Sequence, residues 1–153
     1  MSTALSSAGR QYLTFTLKEE LFAIDISTVR EVLDYTKITK IPRMPDFMLG
    51  VINLRGNVVP VIDMRLKFGM THIDKTINTC IVILEVDFSG EELILGALVD
   101  TVQEVVEMGE EHIKPPPQIG VKLNTEFING MGDRDENFII ILETNRIFST
   151  EEL

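Results

Sequence analysis

The chain has few basic residues and no long apolar run, and each shortage excludes a class of protein. Lysine and arginine number 14 against 24 for aspartate and glutamate, a net charge of −10. Nucleic acids and anionic membrane surfaces attract clustered basic residues, so neither is an expected partner. No stretch approaches the roughly 18 apolar residues of a membrane span, and the first residues lack the apolar core of a signal peptide. We therefore expect a cytoplasmic protein without direct membrane insertion.

The chain also lacks the residues that metal sites and enzyme active sites use. Its single cysteine, Cys80, stands in the apolar run CIVIL, which favours a buried, unreactive thiol. One cysteine and two histidines, His72 and His112, do not make a standard zinc site. We find no nucleophile beside a base and no glycine-rich phosphate loop at a suitable spacing. The sequence therefore predicts no catalysis, no cofactor and no bound metal.

The residues that are present predict a soluble β-protein with a central hairpin. Hydrophobic residues make up 44% of the chain, enough for the core of a domain of this length. In GVINLRGNVVPVIDMR, residues 50–65, two runs rich in β-branched residues flank a polar turn. Gly56 and Asn57 can supply the backbone conformation of that turn. Arg55 at the tip either solvates the loop or contacts a partner.

Five segments recur in the same order in the second half of the chain, which predicts two similar barrels. They are YLTFTL at 12–17 and CIVILE at 80–85, EELF at 19–22 and EELI at 91–94, TVREV at 28–32 and TVQEV at 101–105, FMLG at 47–50 and FING at 127–130, and VPVIDMRLKF at 59–68 and IIILETNRIF at 139–148. The offset grows from 68 to 80, as expected if the second copy gained loop residues near 115–117. Each copy offers about five short strands, the pattern of a small barrel. We predict a flexible tail at 1–9 and one domain at 10–153, made of two lobes with repeats near 12–68 and 80–148.

The two copies differ at the hairpin tip and agree at the Thr-Val-x-Glu-Val segment. Residues 53–56, NLRG, fall opposite residues 133–136, DRDE, so the chemistry of the tip is reversed between copies. A barrel of this kind therefore does not need Arg55, which favours a contact with a partner. The valine of this segment is present in both copies, as Val29 and Val102, and these two residues could equally be core residues.

The words NLRG and VVPVIDMRLKF, with ELFAIDISTVREV and GALVDTVQEVV, resemble the CheW family of bacterial chemotaxis coupling proteins. The resemblance runs from about Gln11 to the C-terminus. It implies an all-β fold of two intertwined five-stranded barrels of the Src-homology-3 type, with a few short helical turns. It also implies a non-enzymatic adaptor that couples transmembrane chemoreceptors to the histidine kinase CheA, at the inner face of the membrane in receptor arrays.

The resemblance also implies which residues bind partners. Arg55 matches the family's arginine that is tied to receptor and kinase coupling. Val29 and Glu31 match positions that meet the receptor, and the second barrel supplies a facing wall. The predicted binding residues are Val29, Glu31, Val32, Asn53, Arg55, Gly56, Val102 and Val105. The partners are the helical hairpin at the cytoplasmic tip of a chemoreceptor, docked by an apolar face, and the regulatory domain of CheA.

Two alternatives stay open at this point. The chain could be a stand-alone regulatory fragment, or a coupling module derived from a hybrid protein of the same pathway. More distantly, it could be a small-molecule-binding barrel, which a pocket lined by paired carboxylates would support. The sequence assigns no geometry to the loop that begins at Pro115–Pro117.

Overall fold

A computed structural model describes residues 9–72, 74–88, 90–115, 127–134 and 137–147, and these residues are mostly β. The strands are β1 Arg10–Leu17, β2 Glu20–Asp25, β3 Val29–Asp34, β4 Met48–Leu54, β5 Asn57–Asp63, β6 Cys80–Phe88, β7 Glu91–Val99, β8 Thr101–Met108, β9 Ile113–Lys114, β10 Ile128–Arg134 and β11 Asn137–Leu142. Within the described residues the short helices are two α-helical segments, Met64–Lys67 and Thr144–Ile147, and two 3-10 turns, Ile26–Thr28 and Glu110–His112. The predicted all-β class with a few helical turns is confirmed.

Both sheets are built from strands of both halves of the chain. The five-stranded sheet has the order β3-β6-β7-β5-β4, and the six-stranded sheet has the order β8-β1-β2-β11-β10-β9. In the sequence repeat, β1 is equivalent to β6, β2 to β7, β3 to β8, β4 to β10 and β5 to β11. With this equivalence, the first five positions of the two sheets carry equivalent strands in the same order. Each half of the chain therefore contributes two strands to the sheet that is built mainly from the other half: β1 and β2 to the six-stranded sheet, and β6 and β7 to the five-stranded sheet. Closure of each sheet into a barrel stays a prediction.

The two sheets share a large apolar core. Most buried side chains form one cluster that draws on both sheets. Four phenylalanines run through it in a row, with ring centroids 5.8, 5.9 and 6.1 Å apart: Phe15, Phe22, Phe68 and Phe127. A smaller cluster lies within the six-stranded sheet and includes Tyr12, Val106 and Ile139. A lobe of about 70 residues buries little surface alone, so sharing one core offsets that deficit.

Two local expectations are corrected by the structure. Leu54 pairs with Asn57, so the two-residue turn of the central hairpin is Arg55–Gly56 and not Gly56–Asn57. The run Ile38–Ile41, which the sequence predicts to be a short strand ending at Pro42, instead forms an isolated bridge from Thr39 to Val51. The tail at 1–8 and residues 116–126, which include most of the proline-rich loop, lie outside the described residues.

Candidate functional site

The tip of the β4–β5 hairpin presents Arg55 on a rigid turn. Arg55 has a φ of 51° and Gly56 a φ of 90°, as a two-residue hairpin turn with the strand twist requires. The side-chain oxygen of Asn53 accepts the backbone N–H of Gly56 at 2.7 Å and closes the turn. A left-handed conformation costs a residue with a side chain roughly 1–2 kcal/mol. Asn53, Arg55 and Gly56 thus form one structural unit, as the sequence placed them.

Arg55 forms an ion pair with Glu31, a second residue of the predicted binding set. Glu31 lies on β3, which is one edge of the five-stranded sheet, whereas Arg55 belongs to the β4–β5 hairpin at the opposite edge. The ion pair therefore requires the sheet to curl until its two edges approach. The sequence gives no signal for this pairing, because the two residues lie 24 positions apart on different strands. The Arg55 side chain keeps 67% of its surface exposed, so it remains available to a partner.

A cleft of about 530 Å³ lies between β3 and this hairpin. Its wall is apolar and includes Leu54, Leu93 and Val58, while charged side chains of β3, β7 and the hairpin tip stand among them. Val58 is 75% exposed although it is the second residue of β5. The sequence does not mark Val58 as exposed, because the apolar run NVVPVID is typical of a buried strand. The cleft adds an apolar surface beside Arg55.

Two arginines and two glutamates are the charged residues that line the cleft: Arg30, Arg55, Glu31 and Glu92. Arg30 donates a hydrogen bond to Glu85 at 2.7 Å. A hydrogen bond between Glu85 and Glu92 lowers the pKa of Glu85 and raises the pKa of Glu92, since one carboxyl must hold the proton that the other accepts. Glu92 is exposed and lines the open cleft, whereas Glu85 is half-buried, so the pair does not lie together in an enclosed pocket.

The four predicted valines divide into two classes. Val29 and Val102 are half-buried, and both pack against the main core cluster. Val32 and Val105 are 41% and 47% exposed. Val29 is equivalent to Val102 in the repeat, and Val32 is equivalent to Val105. They lie on β3 and β8, each of which is an edge strand of its sheet. The structure thus places each predicted valine at the surface or just beneath it, and neither Val29 nor Val102 is fully buried in a separate core.

Features that would indicate other classes of protein are not seen in the described part of the chain. No group of three or more histidine, cysteine, aspartate or glutamate side chains is arranged to hold a metal ion there. None of the helices found in that part is long and apolar enough to cross a membrane. Cys80 is half-buried rather than buried; its thiol donates to the carbonyl oxygen of Asn78 at 3.3 Å, and burial raises its pKa.

Comparisons with known proteins agree on one family. A family model for the CheW-like domain matches residues 11–152. The chain is 36% identical to chemotaxis protein CheW of Klebsiella aerogenes, over 96% of this chain and 86% of that protein. It is 34% identical to a probable chemotaxis protein CheW of Rhizobium etli, over 97% and 94% of the two chains. The crystal structure of the scaffolding protein TtCheW from Thermoanaerobacter tengcongensis matches with a TM-score of 0.82 and 36% identity, over 95% and 96% of the two chains.

Proposed function

Because this chain belongs to the CheW-like family of chemotaxis scaffold proteins, we propose that it couples the cytoplasmic tips of transmembrane chemoreceptors to the regulatory domain of the histidine kinase CheA. It acts by binding and has no catalytic step of its own. Its place in the cell is the inner face of the membrane, where receptor arrays hold it. The chain therefore needs two binding surfaces, one for the kinase and one for the receptor.

The observation that carries the proposal is the geometry at Arg55. An arginine in a strained turn, held by an ion pair and beside an apolar cleft, is a feature that function explains and packing does not. The guanidinium offers a fork of donors that suits a carboxylate or backbone carbonyls. Val58 supplies an exposed apolar contact on the same side. We assign this tip and cleft to the kinase side.

The receptor side is assigned to the edge strands β3 and β8. A helix docks into a groove through apolar residues spaced three and four apart. Val32 and Val105 supply exposed apolar contacts on the same strands as Val29 and Val102, which are half-buried against the core. An apolar face of the receptor helical hairpin fits this arrangement, whereas a basic or strongly charged one does not.

The described residues do not favour the alternative of a small-molecule-binding barrel. A pocket lined by paired carboxylates would support it, but in the interacting pair Glu85 and Glu92 the second carboxylate is exposed.

Binding assays with purified partners test the proposal. We expect the wild-type chain to bind both the receptor tip and the kinase regulatory domain, and to activate the kinase only when all three are mixed. Arg55→Ala should weaken kinase binding by at least about tenfold, because truncating one partner of a hydrogen-bonded charge pair that is buried in an interface costs roughly 2–5 kcal/mol. Arg55→Lys should recover part of this loss, and Arg55→Glu should be worse than Ala if the partner surface is acidic.

Arg43→Ala is the matched control, because Arg43 is also exposed and also has a positive φ, of 65°. It should leave binding to both partners unchanged. The proposal is wrong if the wild-type chain binds neither partner. The role of Arg55 is wrong if Arg55→Ala melts several degrees lower and loses binding only in proportion to its unfolded fraction.

A further inference from the structure

Asp100 joins three elements at the point where the chain passes from the five-stranded to the six-stranded sheet. Its carboxylate accepts hydrogen bonds from Nε of Arg65 at 2.9 and 3.1 Å and from the backbone N–H of Lys18 at 2.8 Å. The Nη2 atom of Arg65 also contacts it. The two side chains are only 20% and 14% exposed, so water screens this ion pair less than it screens the Arg55–Glu31 pair.

The same corner fixes the start of β8. The backbone N–H of Asp100 donates to the carbonyl oxygen of Thr16 at 3.1 Å. The hydroxyls of Thr101 and Thr16 lie 2.8 Å apart and share a hydrogen bond. The next residue, Val102, packs against the core and belongs to the proposed receptor surface. The ion pair therefore lies directly behind the surface without forming part of it.

The repeat indicates that the fold does not need a charged contact at this corner. The equivalents of Arg65 and Asp100 in the other half are Asn145 and Ser27, so both charges are absent there together. At that second corner the side-chain oxygen of Asn145 accepts the backbone N–H of Asp87 at 3.0 Å. A neutral hydrogen bond is thus sufficient to hold the equivalent helix against its neighbouring hairpin.

We propose that Arg65 and Asp100 are positioning residues for receptor binding, which hold the β8 wall at Val102–Val105 in its place relative to the β3 wall at Val29–Val32. This inference rests on the proposed function. Neither residue contacts the receptor. Each acts by restricting where the first residues of β8 can lie, so removal of the ion pair allows the wall to shift while both lobes stay folded.

The test uses the full chain with Asp100→Asn, Arg65→Met and Arg65→Lys, and it measures three quantities. These are the affinity for the receptor tip, the affinity for the kinase regulatory domain, and amide hydrogen exchange at residues 101–105. We expect Asp100→Asn and Arg65→Met to weaken receptor binding about tenfold, the coupling typical of residues within one ion-pair network. Kinase binding should stay within about twofold of wild type, and exchange at 101–105 should become faster. Arg65→Lys keeps the charge and should fall between.

Arg10→Met is the matched control, because Arg10 forms an exposed ion pair with Asp25 outside both surfaces. It should change none of the three quantities. Equal weakening toward both partners, in proportion to a lower melting temperature, would mean a purely structural role and overturn the inference. Unchanged receptor binding in Asp100→Asn and Arg65→Met would also overturn it. If the wild-type chain binds neither partner, the proposed function itself fails, and this outcome is seen before any variant is compared.

Discussion

Arg55 combines an unfavourable backbone conformation with an exposed side chain, and these two properties have opposite consequences for stability and binding. The conformation costs the folded state free energy that glycine would not lose. The ion pair with Glu31 is exposed enough on the arginine side to return little of that cost. The proposed contact of Arg55 with the kinase would therefore come at the expense of stability.

The first prediction follows from this opposition. Arg55→Gly should keep or raise the free energy of unfolding, by up to about 1 kcal/mol, because glycine adopts the turn conformation without strain. It should nevertheless lose binding to the kinase regulatory domain. Chemical denaturation and a direct binding assay on the same preparation check both parts. A fall of more than about 1 kcal/mol in unfolding free energy would show that the arginine side chain holds the fold.

The second prediction concerns Thr14, a buried polar residue on β1. Its hydroxyl donates to the carbonyl oxygen of Glu104 at 2.6 Å and accepts the backbone N–H of Glu104 at 3.0 Å. It thereby satisfies the backbone where the β1–β8 register shifts. Thr14→Val should cost roughly 1–3 kcal/mol, because both backbone groups of Glu104 lose their bond to the hydroxyl in a partly buried place.

The repeat supplies a reason to expect that valine fits sterically at position 14, since the equivalent residue of the second copy is Val82. Thr36→Val, at an exposed position, is the control for the change of residue type. Urea denaturation of the three chains measures the difference. Equal stability of Thr14→Val and wild type would mean that water replaces the hydroxyl.

At the scale of elements, the edge strands β3 and β8 share a defect that matters for binding. The register of β3 shifts between Val29 and Glu31, and the β1–β8 register shifts opposite Gln103 and Glu104. These are equivalent positions of the repeat. Bulged edges pair poorly with further strands, so these strands are protected from edge-to-edge association. A partner at β3 and β8 is therefore expected to bind through side chains and not by adding a strand.

The third prediction separates two glycines of the β4–β5 hairpin. Both have positive φ, 148° at Gly50 and 90° at Gly56. A Cβ at position 50 would lie 2.0 Å from the carbonyl oxygen of Thr39, whereas nothing lies within 4 Å of one at position 56. Gly50→Ala combines strain with a backbone clash and should cost more than about 2 kcal/mol. Gly56→Ala meets only the conformational cost, roughly 1 kcal/mol.

Thermal unfolding of the two alanine variants in parallel checks this order. Gly50 lies where Thr39 bridges to Val51, so its variant should also lose that bridge. Similar melting temperatures for the two variants would show that the segment around Thr39 moves aside at little cost. In that case the bridge would not be a fixed part of the lobe.

For the whole molecule, the sequence predicts which strands form better than it predicts which strands meet. Collinear segments such as TVREV and TVQEV identify equivalent strands, because the hydrophobic pattern and the turn residues that define a strand extend over only a few positions. The contacts of Arg55 with Glu31 and of Arg65 with Asp100 are not predictable in this way, since they depend on how each sheet curls and where the chain crosses between sheets. The half-burial of Val29 and Val102 is not predictable from the sequence either. The alternating pattern of an edge strand does not show whether its apolar residues lie in the core or at the surface.

The mixed origin of both sheets leads to the last prediction, that residues 10–153 fold as one unit. The first half supplies β3, β4 and β5 to the five-stranded sheet and β1 and β2 to the other, and the second half completes both. A cut between Thr71 and His72, both exposed, leaves every strand whole but deprives each sheet of partners. The separate halves keep the hairpins β1–β2, β4–β5 and β6–β7 without the shared core, and an isolated two-stranded hairpin is marginally stable at best in water.

We therefore expect fragments 1–71 and 72–153 to lack native circular dichroism when separate and to regain it when mixed in equal amounts. The uncut chain should unfold in a single cooperative transition. The mixture should melt at a temperature that rises with concentration, because association of the fragments is now part of folding. If either fragment folds alone, that half contains a complete lobe. In that case the exchange of strands between the sheets is not required for folding.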